Sequence, residues 1–218
     1  MTKIADRKPG PQPEVAALSR RAAAEGCVLL ENRNNVLPLN KGDRVSFFGR
    51  MQAEYLGSGT GSGGMVAVPY RTNLLDSLRA EPTVAVNEAL GAVYADWVKE
   101  HPFDNGPGGW ATEPASQVEM PLTDELVAAA AAESDVALVV LARLAGESKC
   151  FSPEKGSFFL REDEEEMLAK VSAHFSRFAV LVNAGSVHDM AWVDTYRVPA
   201  VLMLWQGGME GGNAAADV

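Results

Sequence analysis

The segment that most constrains the fold is Val136-Ala-Leu-Val-Val-Leu-Ala142, an unbroken apolar run followed by Arg143 and then by Gly146-Glu147. A run this short and this rich in Val and Leu, with no polar alternation, reads as a strand buried on both faces. Such a strand needs a covering layer on each side. Two further runs repeat the pattern, Phe178–Asn183 and Ala200–Trp205, and Val45–Gly49 reads as an earlier strand. Helical patterns lie between them. Strands alternating with helices give an α/β fold: a three-layer sandwich with a mostly parallel sheet of about six strands and helices on both faces.

The remaining elements follow from periodicity and turn chemistry. Apolar positions from Glu14 to Leu30 recur at helical spacing, and Val36–Leu39 is a short extended piece before a turn at Asn40–Asp43. Helices are expected over Tyr70–Leu78, Glu88–Lys99, from Thr123 (with Thr123 or Asp124 as cap) and over Arg161–Phe175, with a short strand at Val84–Val86. The acids Glu162–Glu166 open the last of these helices, where they suit the positive end of its dipole. His101–Pro121 is a long proline- and glycine-bearing excursion. A short helix is expected from Gly185-Ser186 to Trp192, with Ser186 a cap rather than a nucleophile, and another after Gly211 with Asn213 as cap.

Composition closes off several classes. The 218 residues suffice for one α/β domain. A net charge of −10 argues against nucleic acid or an anionic membrane as partner, since both would be repelled. No apolar run approaches the length of a membrane-spanning helix, and Met1–Gly10 has no apolar core of a signal peptide, so a cytoplasmic location is expected. Cys27 and Cys150 stand in different segments, and His101, His174 and His188 share no spacing; neither set points to a metal site, and no cofactor is implied.

In open α/β sheets ligands gather outside the carboxyl ends of the strands. Three loops fall there: Gly49–Gly64, Arg143–Phe151 and Trp205–Gly211. Glu147 stands in the second, where a carboxylate on a loop held by a rigid strand is suited to proton transfer, although most loop acids are simply solvated. The glycine loop Gly57-Ser-Gly-Thr-Gly-Ser-Gly-Gly64 approximates a dinucleotide fingerprint, but it does not open a helix and no Lys-Ser/Thr pair follows. Its other reading is a loop whose glycines let backbone come close to a ligand or a neighbouring segment. No Gly-x-Ser-x-Gly elbow is present.

Taken in order, these segments resemble the second domain of glycoside hydrolase family 3, the β-glucosidase family. The resemblance runs from about Glu14 to Val218. It rests on Ala22–Asn32 with Val36–Leu39, Gly59–Gly64, Arg143–Glu147, Lys155–Leu160, Val182–Gly185 and, most specifically, Trp205-Gln-Gly-Gly-Met-Glu-Gly-Gly-Asn213. It implies a six-stranded α/β sandwich that supplies a general acid/base glutamate to an active site whose aspartate nucleophile sits on a separate barrel domain. By the Gly-Glu motif that glutamate is Glu147, with Arg143 and Ser148 as substrate contacts. The implied substrate is a β-glucoside or oligosaccharide hydrolysed with retention. That outcome needs two carboxyl groups roughly 5–5.5 Å apart and a raised pKa on the acid. Where relatives read Gly-Glu-Gly-x-Asp-Arg, this chain reads Gly146-Glu-Ser-Lys-Cys-Phe151, which removes two charges beside Glu147.

Residues 1–13, with three prolines and a glycine, are expected to form a flexible lead-in, and 14–218 the domain. The final helix pattern reaches Val218 without a glycine, a basic turn or a proline, so a domain cut at its C-terminal end, and a chain inactive without its barrel, are expected. Two other readings stand beside the hydrolase: a non-catalytic carbohydrate-binding or domain-packing module, and a nucleotide-binding module resting on the glycine loop alone.

Overall fold

The computed structural model describes residues 12–64 and 66–218. One six-stranded sheet runs through them in the order β1-β6-β5-β4-β2-β3. The strands are β1 (Val28–Asn32), β2 (Arg44–Phe48), β3 (Ala85–Val86), β4 (Val136–Arg143), β5 (Phe178–Ala184) and β6 (Ala200–Met203). All neighbours are parallel except β1, which pairs antiparallel with β6. Helices α1 (Pro13–Gly26), α2 (Leu74–Ala80), α3 (Glu88–Glu100), α4 (Asp124–Glu133), α5 (Glu162–His174), α6 (Trp192–Thr195) and α7 (Gly211–Asp217) surround it. The expected three-layer α/β sandwich is what the chain forms.

Every residue of β4 and of β5 is buried. Their alternate side chains feed two cores. Phe48, Val139, Leu141, Val180 and Val182 meet Leu90, Tyr94, Val127, Met167 and Leu168 from α3, α4 and α5. On the other face Phe47, Leu138, Val140 and Leu181 meet Leu74, Leu75 and Leu78 of α2. Thr123 caps α4 by accepting the Leu126 N–H, as its residue type foretells. No helix among the described residues is long and apolar enough to cross a membrane.

Several boundaries differ from the sequence reading, among them that of α2, which begins at Leu74 behind an Asn73 cap and not at Tyr70. The first helix stops at Gly26, and Val28–Asn32 leaves it to pair with β6, because that edge of the sheet offers a row of unpaired backbone groups. Val15 and Leu18 of α1 stay about half exposed, and α1 buries no residue. No helix opens at Gly185-Ser186; the Asp189 N–H is bonded to Phe158 O of another loop, and α6 begins only at Trp192. Asn213 lies inside α7 rather than capping it, its side chain bonded to Ser77 and Glu210. The expected lead-in lies outside the described residues except for Gln12 and Pro13, and Pro13 is already helical.

Candidate active site

The three loops predicted at the strand ends converge, and one buried amide ties two of them together. Asn183, near the end of β5, is fully buried. It accepts the Leu56 N–H at 2.7 Å and donates to Leu56 O at 3.0 Å and Trp205 O at 2.6 Å. A polar side chain inside an apolar strand is tolerated when its donors and acceptors are used, as they are here. Gly208 N–H bonds Gly57 O at 2.8 Å, and Thr60 N–H bonds Ala145 O at 3.3 Å.

Three glycines of the 57–64 loop, Gly57, Gly59 and Gly61, are explained by this packing. A Cβ on Gly59 would strike Ala145 O, and one on Gly57 would come within 2.8 Å of Gly208 O. Gly61 has φ +77°, and a Cβ there would lie 2.5 Å from Glu147 Cβ. The loop therefore grips the 145–147 segment, the arrangement expected of glycines that admit a neighbouring backbone.

Glu147 sits at the outer end of this contact. Its carboxylate is exposed, and Oε2 accepts the Ser62 hydroxyl at 2.6 Å and the Ser62 N–H at 3.0 Å. These two bonds, the hydroxyl foremost, hold the carboxyl below the usual range, because both favour its charged form. Thr60 Oγ1 donates to Glu147 O at 3.2 Å and fixes the backbone beneath. Ser148 is exposed, with φ +60°, and its Oγ accepts the Trp110 indole N–H at 3.3 Å, bringing the 101–121 excursion to the loop. Cys150 and Phe151, where relatives carry Asp-Arg, are exposed, and Phe151 packs on Phe158 with ring centroids 5.6 Å apart.

Arg143 is placed differently from expectation. It points inward, 3% exposed, and spends all five of its N–H donors. Nε donates to Ser157 O, Nη1 to Ala142 O and Glu164 Oε1, and Nη2 to Phe159 O and Glu164 Oε2. The Glu164 bonds are 2.6 and 2.7 Å, a bidentate pair inside the protein. No donor is left for a substrate. Arg143 instead ties the end of β4 to the first turn of α5 and to the 157–159 loop.

Sequence reasoning passed over four residues that build this site: Ser62, Trp110, Glu164 and Asn183. Asn183 carried a readable signal, a polar residue ending an apolar strand. The others depend on contacts between segments far apart in the chain. Chemically, the site offers one ionised, solvent-facing carboxylate on a rigid stem. Among the described residues no group of three His, Cys, Asp or Glu side chains is arranged to hold a metal ion.

Comparison with known proteins agrees with this architecture. Residues 27–218 match the glycosyl hydrolase family 3 C-terminal domain. The β-glucosidase of Ruminococcus albus is 46% identical over 195 residues, which cover 89% of this chain and 20% of that protein. β-Glucosidase A of Butyrivibrio fibrisolvens is 34% identical, covering 92% and 26%. Among solved structures, a β-glucosidase from Paenibacillus barengoltzii superposes with a TM-score of 0.92 at 51% identity, over 96% of this chain and 23% of that one. β-Glucosidase 3B from Thermotoga neapolitana, solved in complex with α-D-glucose, gives 0.82 at 30% identity, over 94% and 29%. The chain thus spans roughly a fifth to a quarter of the length of these curated relatives. It belongs to glycosyl hydrolase family 3, as the C-terminal domain of that family.

Proposed function

We propose that this domain supplies the general acid/base, Glu147, and part of the sugar cleft to a retaining β-glucosidase-like hydrolase. The nucleophile would come from a barrel domain elsewhere in the whole protein, so this chain alone would not hydrolyse a glycoside. The observation that carries the reading is the position of Glu147: an exposed carboxylate on the loop after β4, presented by the glycine loop at the ligand-gathering edge of the sheet. Ser148, exposed beside it, can still donate its hydroxyl proton while accepting from Trp110. Arg143 takes no part in substrate contact.

The electrostatics set a condition on this role. A general acid must hold a proton at working pH, and Ser62 stabilises the charged form of Glu147. Covering the site with a second domain and a sugar removes water from the carboxyl and raises its pKa, while substrate can draw the Ser62 hydroxyl away. In the whole protein, Glu147→Ala is expected to slow glucosides with poor leaving groups far more than those with good ones, because only the former need protonation. Added azide should restore turnover of the latter by replacing the base. Equal loss for both classes without restoration would sink the assignment.

A second reading, a carbohydrate-binding or packing module without catalysis, draws support from the same Ser62 contact, which disfavours the protonated acid. It predicts that Glu147→Ala leaves hydrolysis by the whole protein unchanged.

A further inference from the structure

The 101–121 excursion leaves and rejoins the fold beside Arg50, whose side chain is enclosed. Nη2 donates to His101 O at 2.9 Å, where the excursion begins, and Nη1 donates to Val118 O at 3.2 Å, where it ends. Nε donates to Glu54 at 2.7 Å, and the guanidinium lies 5.3 Å from the Trp97 ring centroid. Just past this neck Gln117 closes the excursion on itself, accepting the Asp104 N–H at 2.7 Å and donating to Asp104 O at 3.1 Å.

Glu119 belongs to the same neck. Its Oε2 accepts the Arg50 N–H at 2.8 Å, its own N–H bonds Asp163 Oδ2 at 2.9 Å, and its carboxyl is buried. The ionisable groups around it come from each element packed there: Arg50 and Glu54 after β2, Tyr94 on α3, Asp163 and Glu164 on α5, and Arg161 and Arg143 behind those two. The pairing of these charges leaves nothing over. Arg50 is bonded to Glu54, Arg143 to Glu164 and Arg161 to Asp163. Lys170 of α5 donates to Leu122 O, and the His101 ring is exposed and stacked on Trp97. Ionised Glu119 would therefore be a buried carboxylate with no cation of its own among the described residues, next to two others that repel it. Burial first, then Glu164 and Asp163, push its carboxyl up to about 8 against the Arg50 N–H bond. Once charged, the group gains most by reaching water. That movement pulls on the Arg50 backbone and on Val118, the two sides of the clamp.

We propose that the neck of the 101–121 excursion is a proton latch: protonated Glu119 keeps it closed, and release of that one proton opens the excursion while the sheet beneath stays folded. The latch stands on the neck alone and is independent of the role of Glu147. It acts at a distance on the loop after β4, because the excursion carries Trp110 to Ser148.

Hydrogen exchange of the whole protein, followed by mass spectrometry from about pH 5 to about pH 9 and corrected for the intrinsic rise of exchange with pH, measures how often the neck opens. Peptides carrying the Asp104 and Glu119 N–H groups should be less protected than those of β4 and β5, which report opening of the sheet. Their protection should fall as pH rises, by up to about tenfold per pH unit, the slope for one proton released on opening. It should level off above about 8, where the closed form is ionised as well. Glu119→Gln keeps an acceptor for the Arg50 N–H and cannot ionise, so its neck protection should not depend on pH. Wild-type protection that is flat across the range, a slope that survives in Glu119→Gln, or neck amides as protected as those of β4 and β5 would each overturn the latch. Should the variant fail to fold, the wild-type slope and its levelling decide alone.

Discussion

Arg143 and Glu147 lie four residues apart at the same strand end and are held in opposite ways. Arg143 is enclosed, all its donors are used, and its charge is matched by Glu164. Glu147 is exposed, and both its carboxylate bonds come from one residue, Ser62. The strand end is built as an anchored stem carrying a lightly held tip. The difference shows where this domain places its buried charge: in fixing the position of the loop, not around the Glu147 carboxylate. The tip's protonation is open to its surroundings, because an exposed carboxylate responds strongly to a change in solvation whereas an enclosed ion pair does not.

The largest test removes the stem. Arg143→Met leaves Glu164 buried without its cation and removes the guanidinium donors to Ser157 O and Phe159 O. Breaking one side of a buried pair costs about 3–5 kcal/mol. Urea denaturation should show that loss, and Arg143→Met combined with Glu164→Leu should regain much of it. A single variant that loses less than about 1 kcal/mol, the range of exposed pairs, would mean that the pair is not what anchors the loop.

A second test probes the same enclosed region through pH. Glu119 is 3% exposed and lies near Glu164, Asp163, Tyr94 and Arg50. Burial pushes its carboxyl up to about 8, against the opposing effect of the Arg50 N–H it accepts at 2.8 Å. The folded chain therefore keeps this proton to about pH 8, while the unfolded chain releases it near 4.5. Between those values the folded state binds more protons, so stability declines as pH rises, by up to roughly 1.4 kcal/mol per pH unit. Glu119→Gln should flatten that decline in melting experiments between pH 5 and 8, a window chosen inside the two pKa values. An equal slope in the variant would remove Glu119 from the account.

The same contrast explains what could be read in the sequence. β4, β5 and β6 were legible because burial on both faces leaves an unbroken apolar run, and the position of Glu147 followed from where β4 stops. The partner of Arg143 was not legible. In Glu162–Glu166 all five positions are acidic in a stretch that suits a helix start, and only the helix's rotation against β4 selects Glu164 for the interior. β1 was hidden because Val28–Leu30 continues the spacing of the preceding helix, while its pairing partners, Leu202 and Met203, are distant in sequence. Trp110 sits in a segment without periodicity, where position is fixed by tertiary contacts alone. Local chemistry thus marked the tip of the stem; what the stem is fastened to lay in long-range pairing.

The smallest effect is the most informative about the tip. Ser62→Ala deletes the 2.6 Å hydroxyl bond to Glu147 and leaves the backbone N–H bond in place. The Glu147 carboxyl should rise towards its ordinary value of 4.5, read by NMR titration of the side-chain carboxyl carbon, with only a small drop in melting temperature at neutral pH, because the group is exposed. In the wild type the folded pKa lies below the unfolded one, so this contact contributes above about pH 4.5 and is lost as pH falls through the folded value. If the titration is unmoved, the backbone alone holds the carboxylate and the tip is as fixed as the stem. In the whole protein the same variant should carry the alkaline limb of kcat/KM to higher pH, since an acid with a higher pKa stays protonated further up the scale. A limb that stays in place while the NMR titration shifts would mean that the group titrating in catalysis is not Glu147.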